Sequence, residues 1–562
     1  MNKNKAKWKK VLEDKILHSF PMPWASHGID VKFENYIKNA LRHLDGLKSP
    51  QNSNRVYLGE PVIRISDRDS LQACRISTTF PEKGESLNDV TKGLVDFFHG
   101  MMDWGHPKMG MNVVPPSTLP SIAANLMAAV FSPNLIEQEY SVNVAAAEIE
   151  AVAMCAGLAG FDPDRAGGIF TFGGLGTWLY AMKIGLTKAL GQQSRFKGVR
   201  DDAVVICSEV SHFSKLNCSD WLGLGMDQVR TVGINDDNSM DLDHLKDILD
   251  ETHNRDLSVA LICGTMGTTD AFGVDDIGRI ASVRDAFVQK YNLDYRPHIH
   301  ADAVIGWAWM VFRDYDFTNN PLEFSAELLN DIRTVASKFR NISRADSIGF
   351  DFHKTGYTPY ISSLIVLKEA GDFDLIRRPA EKEAYLFHFG AYNPGEYSLE
   401  SSRSAAGALA AWANLKLFGL EGFRVILAQL VEAERILRRR IEALPDMVIV
   451  NPDDHGFVSL YRVYPPEVKA ASMYRDELNG KRDEDLIRHN TYLYNVSTEI
   501  NRLQREENGP FLSFTSNHRV NVKGTPVAAL KVFPMSPFVN ESTIDLILEG
   551  ILAAKRNVDR TR

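Results

Sequence analysis

The hydrophobic pattern changes character along the chain. Residues 1 to about 110 follow a mostly helical period, and two further helices are expected between Ser121 and Gly160, separated near Pro133. Beyond them, short runs that are apolar at successive positions alternate with amphipathic stretches. The runs are GIFTF (168–172), AVVICS (203–208), SVALICG (258–264) and HIHADAVIG (298–306). Such runs are typical of strands buried on both faces, and their alternation with helical stretches predicts a mostly parallel sheet with helices on both faces.

The last part of the chain has a different pattern. A long helical region begins near Ser404, and it is followed by mixed strand-like and helical stretches up to Arg562. A chain of 562 residues is also too long for one compact core. We therefore predict an N-terminal, mostly helical segment (1–110), a large α/β domain (111–425) and a smaller C-terminal α+β domain (426–562).

Composition narrows the class of protein. Hydrophobic residues make up 44% of the chain and charged residues 24%, which are ordinary values for a soluble globular protein. The net charge is −9 and the basic residues form no long block, so nucleic acid is not an expected partner. The five cysteines include no CxxC pair; we expect reduced, buried thiols and neither a disulfide framework nor a metal site.

The N-terminus is basic, but Glu13, Asp14 and Lys15 interrupt any apolar core of a signal peptide. Apolar runs such as 123–131 are too short to span a bilayer. These features predict a cytoplasmic protein without membrane contact.

Two turns that follow predicted strands contain glycine. In TFGGLGTWLYAMK (171–183), adjacent glycines join a strand to a helix, and the backbone N–H groups of such a turn can face a phosphate. A tight turn that requires glycine is the alternative, because the segment is neither GxGxxG nor a P-loop. In GTMGTTDAFG (264–273), Thr268 and Thr269 lie at a strand end, where ligands of open α/β sheets bind; a turn closed by local threonine hydrogen bonds is the alternative.

Three further strand ends carry ionisable side chains. His212 can stack on a flat cofactor ring or be an ordinary loop histidine. Asp302 lies in an apolar run and needs a partner, which is either backbone N–H groups or a cation such as a protonated ring nitrogen. Lys354, in DSIGFDFHKTGYTP, is either a solvated surface lysine or a desolvated amine that forms a Schiff base. Pyridoxal 5'-phosphate (PLP) needs all these groups, and the five segments occur in one predicted domain.

The motifs resemble those of the group II amino-acid decarboxylases, PLP enzymes of fold type I, and look most like the bacterial tyrosine decarboxylase branch. The resemblance covers about residues 100–430. The matching segments are His212–Phe213–Ser214 for HYS, Gly267–Thr268–Thr269 for GTT, His300–Ala301–Asp302–Ala303–Val304 for HVDAA, Asp351–Phe352–His353–Lys354 for DxHK and Ser401–Ser402–Arg403 for GSR.

The resemblance implies roles for these residues. Lys354 would form the Schiff base with PLP, His212 would stack on its ring, and Asp302 would pair with its ring nitrogen. The other expected cofactor contacts are Gly173, Gly174, Leu175, Thr268, Thr269, Val304, Asp351, His353, Ser401 and Ser402. The two serines would reach the phosphate from a neighbouring subunit, which implies a homodimer with a shared active site and dimer contacts from the N-terminal segment.

A tyrosine on a loop after the lysine would return a proton to Cα. Tyr385 is favoured over Tyr392 and Tyr397; the alternative is that Tyr385 only packs as part of an amphipathic stretch. Arg403 would either meet a substrate carboxylate or be structural, and the segment 106–117 would line the substrate side.

The chain departs from the family pattern at two places. Phe172 or Leu175 stands where a small hydroxyl residue is usual, and Gly176 stands where a glutamate is usual. Val304 and Trp307 are larger than the residues expected after the aspartate. The departures in the glycine turn favour phosphate binding through backbone groups. The larger Val304 and Trp307 are expected to narrow or reshape the pocket, which motivates a different PLP reaction as an alternative.

We therefore predict an enzyme of the PLP-dependent carboxy-lyase class, which decarboxylates an aromatic (tyrosine-like) or acidic L-amino acid. The alternatives are a PLP-dependent carbon–carbon lyase or aldehyde-forming relative, and a catalytically silent binding protein with a PLP-enzyme fold.

Overall fold

A computed structural model gives the structure of residues 7–22, 30–48, 55–60, 68–76, 79–199, 202–379 and 390–561. The chain forms two compact units. One comprises Met1–Trp104 with Arg502–Gly509, and the other comprises Gly105–Asn501 with Pro510–Arg562.

The strands are β1 (Met109–Gly110), β2 (Gly167–Thr171), β3 (Ala203–Ser208), β4 (Val229–Val232), β5 (Ser258–Thr265), β6 (His298–Asp302), β7 (Ser347–Asp351), β8 (Ser363–Leu367), β9 (Met447–Ile449), β10 (Ser459–Val463), β11 (Phe511–Val520) and β12 (Pro526–Val532). The helices are α1 (Lys7–Val11), α2 (Val31–Gly46), α3 (Arg68–Ile76), α4 (Leu87–Asp96), α5 (Leu119–Phe131), α6 (Gln138–Ser141), α7 (Ala145–Ala159), α8 (Gly174–Leu190), α9 (Gln193–Lys197), α10 (Ser214–Trp221), α11 (Leu242–Asn254), α12 (Ile277–Tyr291), α13 (Ala326–Phe339), α14 (Ala406–Glu442), α15 (Ala470–Leu478), α16 (Asp483–Glu507) and α17 (Glu541–Arg560).

The larger unit is built on a seven-stranded sheet in the order β2-β8-β7-β6-β5-β3-β4. Strands β7, β6, β5, β3 and β4 are parallel, whereas β8 is antiparallel to both β2 and β7. Every residue of β3, β6 and β7 is buried, which explains the apolar runs noted for β3 and β6. The fold class predicted from the sequence is confirmed.

Helix α8 fixes the position of the sheet's central strands relative to the glycine turn. It packs across β5, β6, β7 and β8, and it buries Trp178, Ile184 and Leu186 in the core. A Cβ at Gly185 would lie 2.4 Å from the carbonyl oxygen of Ala260 on β5, so only glycine allows this close approach.

A five-stranded sheet, β1-β11-β12-β10-β9, lies in the same unit. Only β1 is parallel to its neighbour; the other pairs are antiparallel. Helix α14 is interrupted at Gly419, whose φ of +54° and ψ of −164° are not helical. The predicted helix after Ser404 is therefore two helical stretches joined at this glycine.

Two expectations need correction. Cys74 is exposed, whereas the other four cysteines are buried. The stretch Gln138–Ala159, which contains α6 and α7, is long and apolar enough to cross a membrane by length and composition, so the expectation that all apolar runs are too short is wrong. Core helices have the same composition, and α7 packs against β2 and α14.

Candidate active site

The carboxyl ends of the parallel strands bring the predicted chemistry together. Asp302 ends β6 and lies in register with Thr265 at the end of β5 and with Gly349 on β7. Asp351 ends β7, and Lys354 follows three residues later. This sheet edge is where open α/β proteins bind ligands.

Lys354 pairs with Asp351. Its Nζ lies 2.8 Å from Asp351 Oδ2; the Asp351 side chain is 1% exposed and that of Lys354 is 21% exposed. Burial lowers the pKa of Lys354, but the adjacent Asp351 carboxylate and the more distant Asp302 outweigh it and raise the pKa above its usual value. Lys354 is therefore neither a solvated surface residue nor a neutral amine at rest.

The Asp351 carboxylate is fully engaged with the protein. Ser363 on β8 donates a hydrogen bond of 2.5 Å to Oδ1, and His353 Nε2 lies 3.5 Å from Oδ2. The indole N–H of Trp307 donates to the Asp351 backbone carbonyl at 3.1 Å. Neighbouring side chains thus contact both carboxylate oxygens and the backbone carbonyl of Asp351.

Asp302 is 3% exposed and has a different environment. Its Oδ2 accepts a hydrogen bond of 2.7 Å from the indole Nε1 of Trp178 on α8, while its buried Oδ1 has no partner among the described residues. A buried carboxylate oxygen without a donor is costly, and such an atom is expected where a ligand binds.

His212 follows β3 and belongs to the same site. Its Nδ1 lies 2.6 Å from Ser214 Oγ. Burial lowers the pKa of His212, the Asp302 charge opposes this effect and the Lys354 charge reinforces it. Because the net effect is a lowered pKa, the imidazole is neutral at pH 7.

His353 faces away from bulk water. Its Nδ1 accepts from the backbone N–H of Ser362 at 3.3 Å, and its ring centroid lies 4.4 Å from that of Tyr360. Burial lowers its pKa; the Asp351 charge opposes this effect.

The glycine turn closes over Asp351. Gly173 precedes α8 with φ of +126°, and a Cβ there would meet nothing within 4 Å. A Cβ on Gly174 would lie 2.8 Å from Asp351 Oδ2 and 3.3 Å from Val304 Cγ1. The carbonyl of Leu175 accepts from the Cys218 thiol. The first turn of α8 thus lies directly beside the Lys354–Asp351 pair.

The remaining predicted residues have the following places. Thr268 makes a local turn, since its Oγ1 accepts from the N–H of Gly273 at 2.9 Å. The backbone carbonyl of Thr269 accepts from Lys531. Ser401 and Ser402 are exposed.

Arg403 is structural. It is buried, its guanidinium pairs with the buried Glu148 at 2.5 Å, and it also donates to the carbonyls of Leu135 and Phe170. Tyr392 donates to Glu148 as well. Tyr397 stacks on Phe373 with ring centroids 4.2 Å apart. Tyr385 lies outside the described residues.

Three residues of the site were not singled out from the sequence. Trp178 donates to Asp302, Ser363 donates to Asp351, and Tyr360 covers His353. Trp178 carried a weak signal, because it follows the glycine turn by one helical turn on the helix that leaves it. Ser363 carried none, because an isolated serine at a strand start is common.

The comparisons with known proteins identify the family. The model of the pyridoxal-dependent decarboxylase conserved domain matches residues 71–462, which is more than half of the chain. The chain belongs to the pyridoxal-dependent decarboxylase family.

Among curated proteins, the chain is 24% identical to aspartate 1-decarboxylase of Aliivibrio fischeri over 408 residues, which are 70% of this chain and 67% of that protein. It is 31% identical to L-tyrosine decarboxylase of Enterococcus faecalis over 219 residues, about a third of each chain (36% and 34%). Among solved structures, the glutamate decarboxylase domain of diaminobutyrate-pyruvate transaminase and L-2,4-diaminobutyrate decarboxylase from Vibrio parahaemolyticus matches with a TM-score of 0.72 at 18% identity, over 97% of this chain and 99% of that one. This last likeness supports the fold.

The enzyme class is therefore that of the PLP-dependent amino-acid carboxy-lyases, and PLP is the cofactor. The described residues fit it. Asp302 offers one unpartnered oxygen for a protonated ring nitrogen, Lys354 offers an amine at the same site, and the turn at Gly173 leaves open space at the start of α8 for a phosphate.

Proposed function

We propose that this enzyme decarboxylates an aromatic, tyrosine-like or acidic L-amino acid to the corresponding amine. The observation that carries the proposal is the pair of strand-end carboxylates. Asp351 holds the Lys354 ammonium at 2.8 Å, while Asp302 keeps one buried oxygen unpartnered.

Each residue then has a task. Lys354 is the amine that would hold the cofactor, Asp302 the acid that would keep its ring nitrogen protonated, and Gly173 and Gly174 the turn that would bind its phosphate. Bound PLP supplies an electron sink for the electron pair left at Cα when CO₂ departs. His212 is uncharged at pH 7 and so presents a flat ring without adding positive charge to the site.

The proton that replaces CO₂ must come from an acid near Cα. Tyr392 and Tyr397 are engaged in buried contacts with Glu148 and Phe373. We therefore retain Tyr385 as the proposed donor.

The substrate class rests on the relatives. One acts on aspartate and another on L-tyrosine, so an acidic and an aromatic side chain are both consistent with family membership. Arg403 is committed to Glu148, so it does not support recognition of a substrate carboxylate.

A homodimer in the cytoplasm remains part of the proposal. The exposure of Ser401 and Ser402 is compatible with a contribution to the phosphate site of a neighbouring subunit.

The alternative PLP reactions lose part of their support. Trp307, whose size was expected to reshape the site, is fully buried against Phe352 and Phe423, with its indole N–H on the Asp351 carbonyl. Its bulk is therefore accommodated in the core.

The test is to incubate the PLP-loaded enzyme with a panel of L-amino acids and to quantify CO₂, amine and aldehyde separately. We expect CO₂ and amine in equal amounts from one aromatic or acidic amino acid. Aldehyde in place of amine would show the aldehyde-forming reaction, and failure of the protein to bind PLP would favour the silent binding protein.

A further inference from the structure

Among the described residues, the side-chain carboxylate of Asp302 has one hydrogen-bond donor, and it is a tryptophan. Trp178 Nε1 lies 2.7 Å from Asp302 Oδ2; Trp178 is 1% exposed and Asp302 is 3% exposed. The other carboxylate oxygen, Oδ1, is buried without a donor. One oxygen is thus held by the protein and the other is left open.

The position of the indole is fixed from several sides. Helix α8 packs on β6, which ends at Asp302, and Trp178 belongs to the buried core of that helix. Its ring meets the His300 ring edge-on at a centroid distance of 6.1 Å. His300 is fully buried, and burial lowers its pKa to about 4, so it is neutral at pH 7 and adds no competing charge.

A carboxylate on a short side chain turns easily about its last bond, because that torsion has broad minima. A donor fixed in the core removes this freedom at one oxygen and thereby fixes the direction of the other.

We propose that Trp178 is a positioning residue for the reaction: its indole N–H holds Asp302 Oδ2 so that Oδ1 faces the ring nitrogen of PLP. The inference rests on the proposed function in one respect, namely that Asp302 meets that nitrogen. Trp178 itself does not touch the reacting atoms.

The test compares three variants of the full-length enzyme. Trp178→Phe keeps an aromatic ring and removes the donor. Trp178→His restores a donor, since the Nε2 of histidine can occupy the ring position of the indole Nε1. Trp309→Phe is the matched control, because Trp309 is also fully buried and its indole N–H has no partner among the described residues.

The readouts are the dissociation constant of PLP from titration of the apoenzyme, the pH dependence of the absorbance band of the bound cofactor, and kcat and KM. For Trp178→Phe we expect PLP to bind about tenfold more weakly, which matches one hydrogen bond to a charged group. We also expect a shift in the pH dependence of the band and a fall in kcat of about tenfold with little change in KM. Trp178→His should recover most of each effect, and Trp309→Phe should match the unaltered enzyme.

Equal losses in Trp178→Phe and Trp178→His, or a Trp178→Phe enzyme that behaves like Trp309→Phe, would overturn the positioning role. If Trp178→Phe does not fold, Trp178→His is compared with the unaltered enzyme. A Trp178→His enzyme whose cofactor band has an altered pH dependence counts against the proposal. A Trp178→His enzyme that keeps the band and the PLP affinity supports it. Failure of the unaltered enzyme to bind PLP or release CO₂ would instead refute the proposed function.

Discussion

The ends of strands β6 and β7 each carry a buried aspartate, and the two differ in how far the protein satisfies them. Asp351, at the end of β7, is contacted by Lys354, Ser363 and His353. The carboxylate of Asp302, at the end of β6, accepts from Trp178 at one oxygen, and its other oxygen has no donor among the residues that the structure describes. Both neighbouring parallel strands thus end in an aspartate, but only the Asp351 carboxylate has partners at both oxygens among the described residues.

We infer from this difference that Asp351 has a structural role and that Asp302 has a ligand-binding role. A buried carboxylate is costly unless it is paired and hydrogen-bonded, and Asp351 meets that requirement within the chain. Asp302 meets it only in part, so its remaining interaction energy is available to a cationic group of a ligand. Asp351 therefore stabilises the protonated form of Lys354, and we propose that Asp302 is the acid that faces the cofactor.

Removal of the Lys354 side chain should have the largest effect on activity. Lys354→Ala should lower decarboxylation by at least about 1000-fold, because it removes the amine that is paired with Asp351 and is proposed to hold PLP. It also leaves Asp351 with a buried charge, which should lower the free energy of unfolding by roughly 3 kcal/mol. Activity assays and denaturant titrations check both; Lys368→Ala, outside the site, is the control. A purified Lys354→Ala protein that keeps the absorbance band of covalently bound cofactor would contradict the lysine assignment.

Asp302→Asn should have the next largest effect. An amide keeps the Trp178 hydrogen bond but cannot hold a proton on the ring nitrogen, so kcat should fall by about 100-fold. PLP should bind more weakly by about tenfold. Steady-state kinetics and PLP titration measure these changes. Should Asp351→Asn lower PLP affinity as much as Asp302→Asn does, the two aspartates do not divide their tasks as inferred.

Asp351→Asn should change the pH dependence of cofactor attachment. The Asp351 charge opposes the effect of burial on Lys354 and keeps its pKa above the usual value; without that charge, burial lowers the pKa. The neutral amine fraction at a given pH therefore rises, and attachment of PLP to the apoenzyme should reach half its maximal rate at a lower pH, by about one pH unit. Rapid-mixing absorbance measurements between about pH 8 and pH 12 test this, because the pKa of Lys354 in the unaltered enzyme lies above the usual value of 10.5. An unchanged profile would show that Asp351 does not control the amine.

The smallest effect is expected from Ser363→Ala. It removes the 2.5 Å hydrogen bond to Asp351 Oδ1 and leaves that oxygen buried. The free energy of unfolding should fall by about 1–3 kcal/mol, while kcat changes by less than about threefold, because Lys354 still holds the other oxygen. Ser343→Ala, at a residue whose described contact is made by its backbone carbonyl, is a control. A loss of activity comparable to that of Asp302→Asn would place Ser363 in the reaction itself.

Much of the architecture followed from the sequence because it depends on local patterns. Continuous apolar runs located β2, β3, β5 and β6 within a few residues. The run 298–306 was longer than its strand, which ends at Asp302. A Cβ added to Gly306, at the end of this run, would lie 1.9 Å from the carbonyl oxygen of Met266, so only glycine allows this close approach. No periodicity in the sequence reveals such a close approach between distant segments.

The sequence predicted the candidate site only in part. Lysine, aspartate and histidine types at strand ends indicated Lys354, Asp302 and His212. Their partners were not indicated, since Trp178 is 124 residues from Asp302 and Ser363 is 12 residues from Asp351 on the next strand. The role of Arg403 was also open until its pairing with Glu148, 255 residues away, made it structural.

The sequence by itself determined which chemical groups this protein can bring to a strand edge, because residue type and local hydrophobic pattern are encoded in neighbouring positions. Only the tertiary structure decided which aspartate is saturated and which keeps a free oxygen. That distinction depends on donors from α8 and β8 that meet β6 and β7 only once the sheet is assembled, since a hydrogen bond forms only within about 3 Å and the chain alone does not fix such distances.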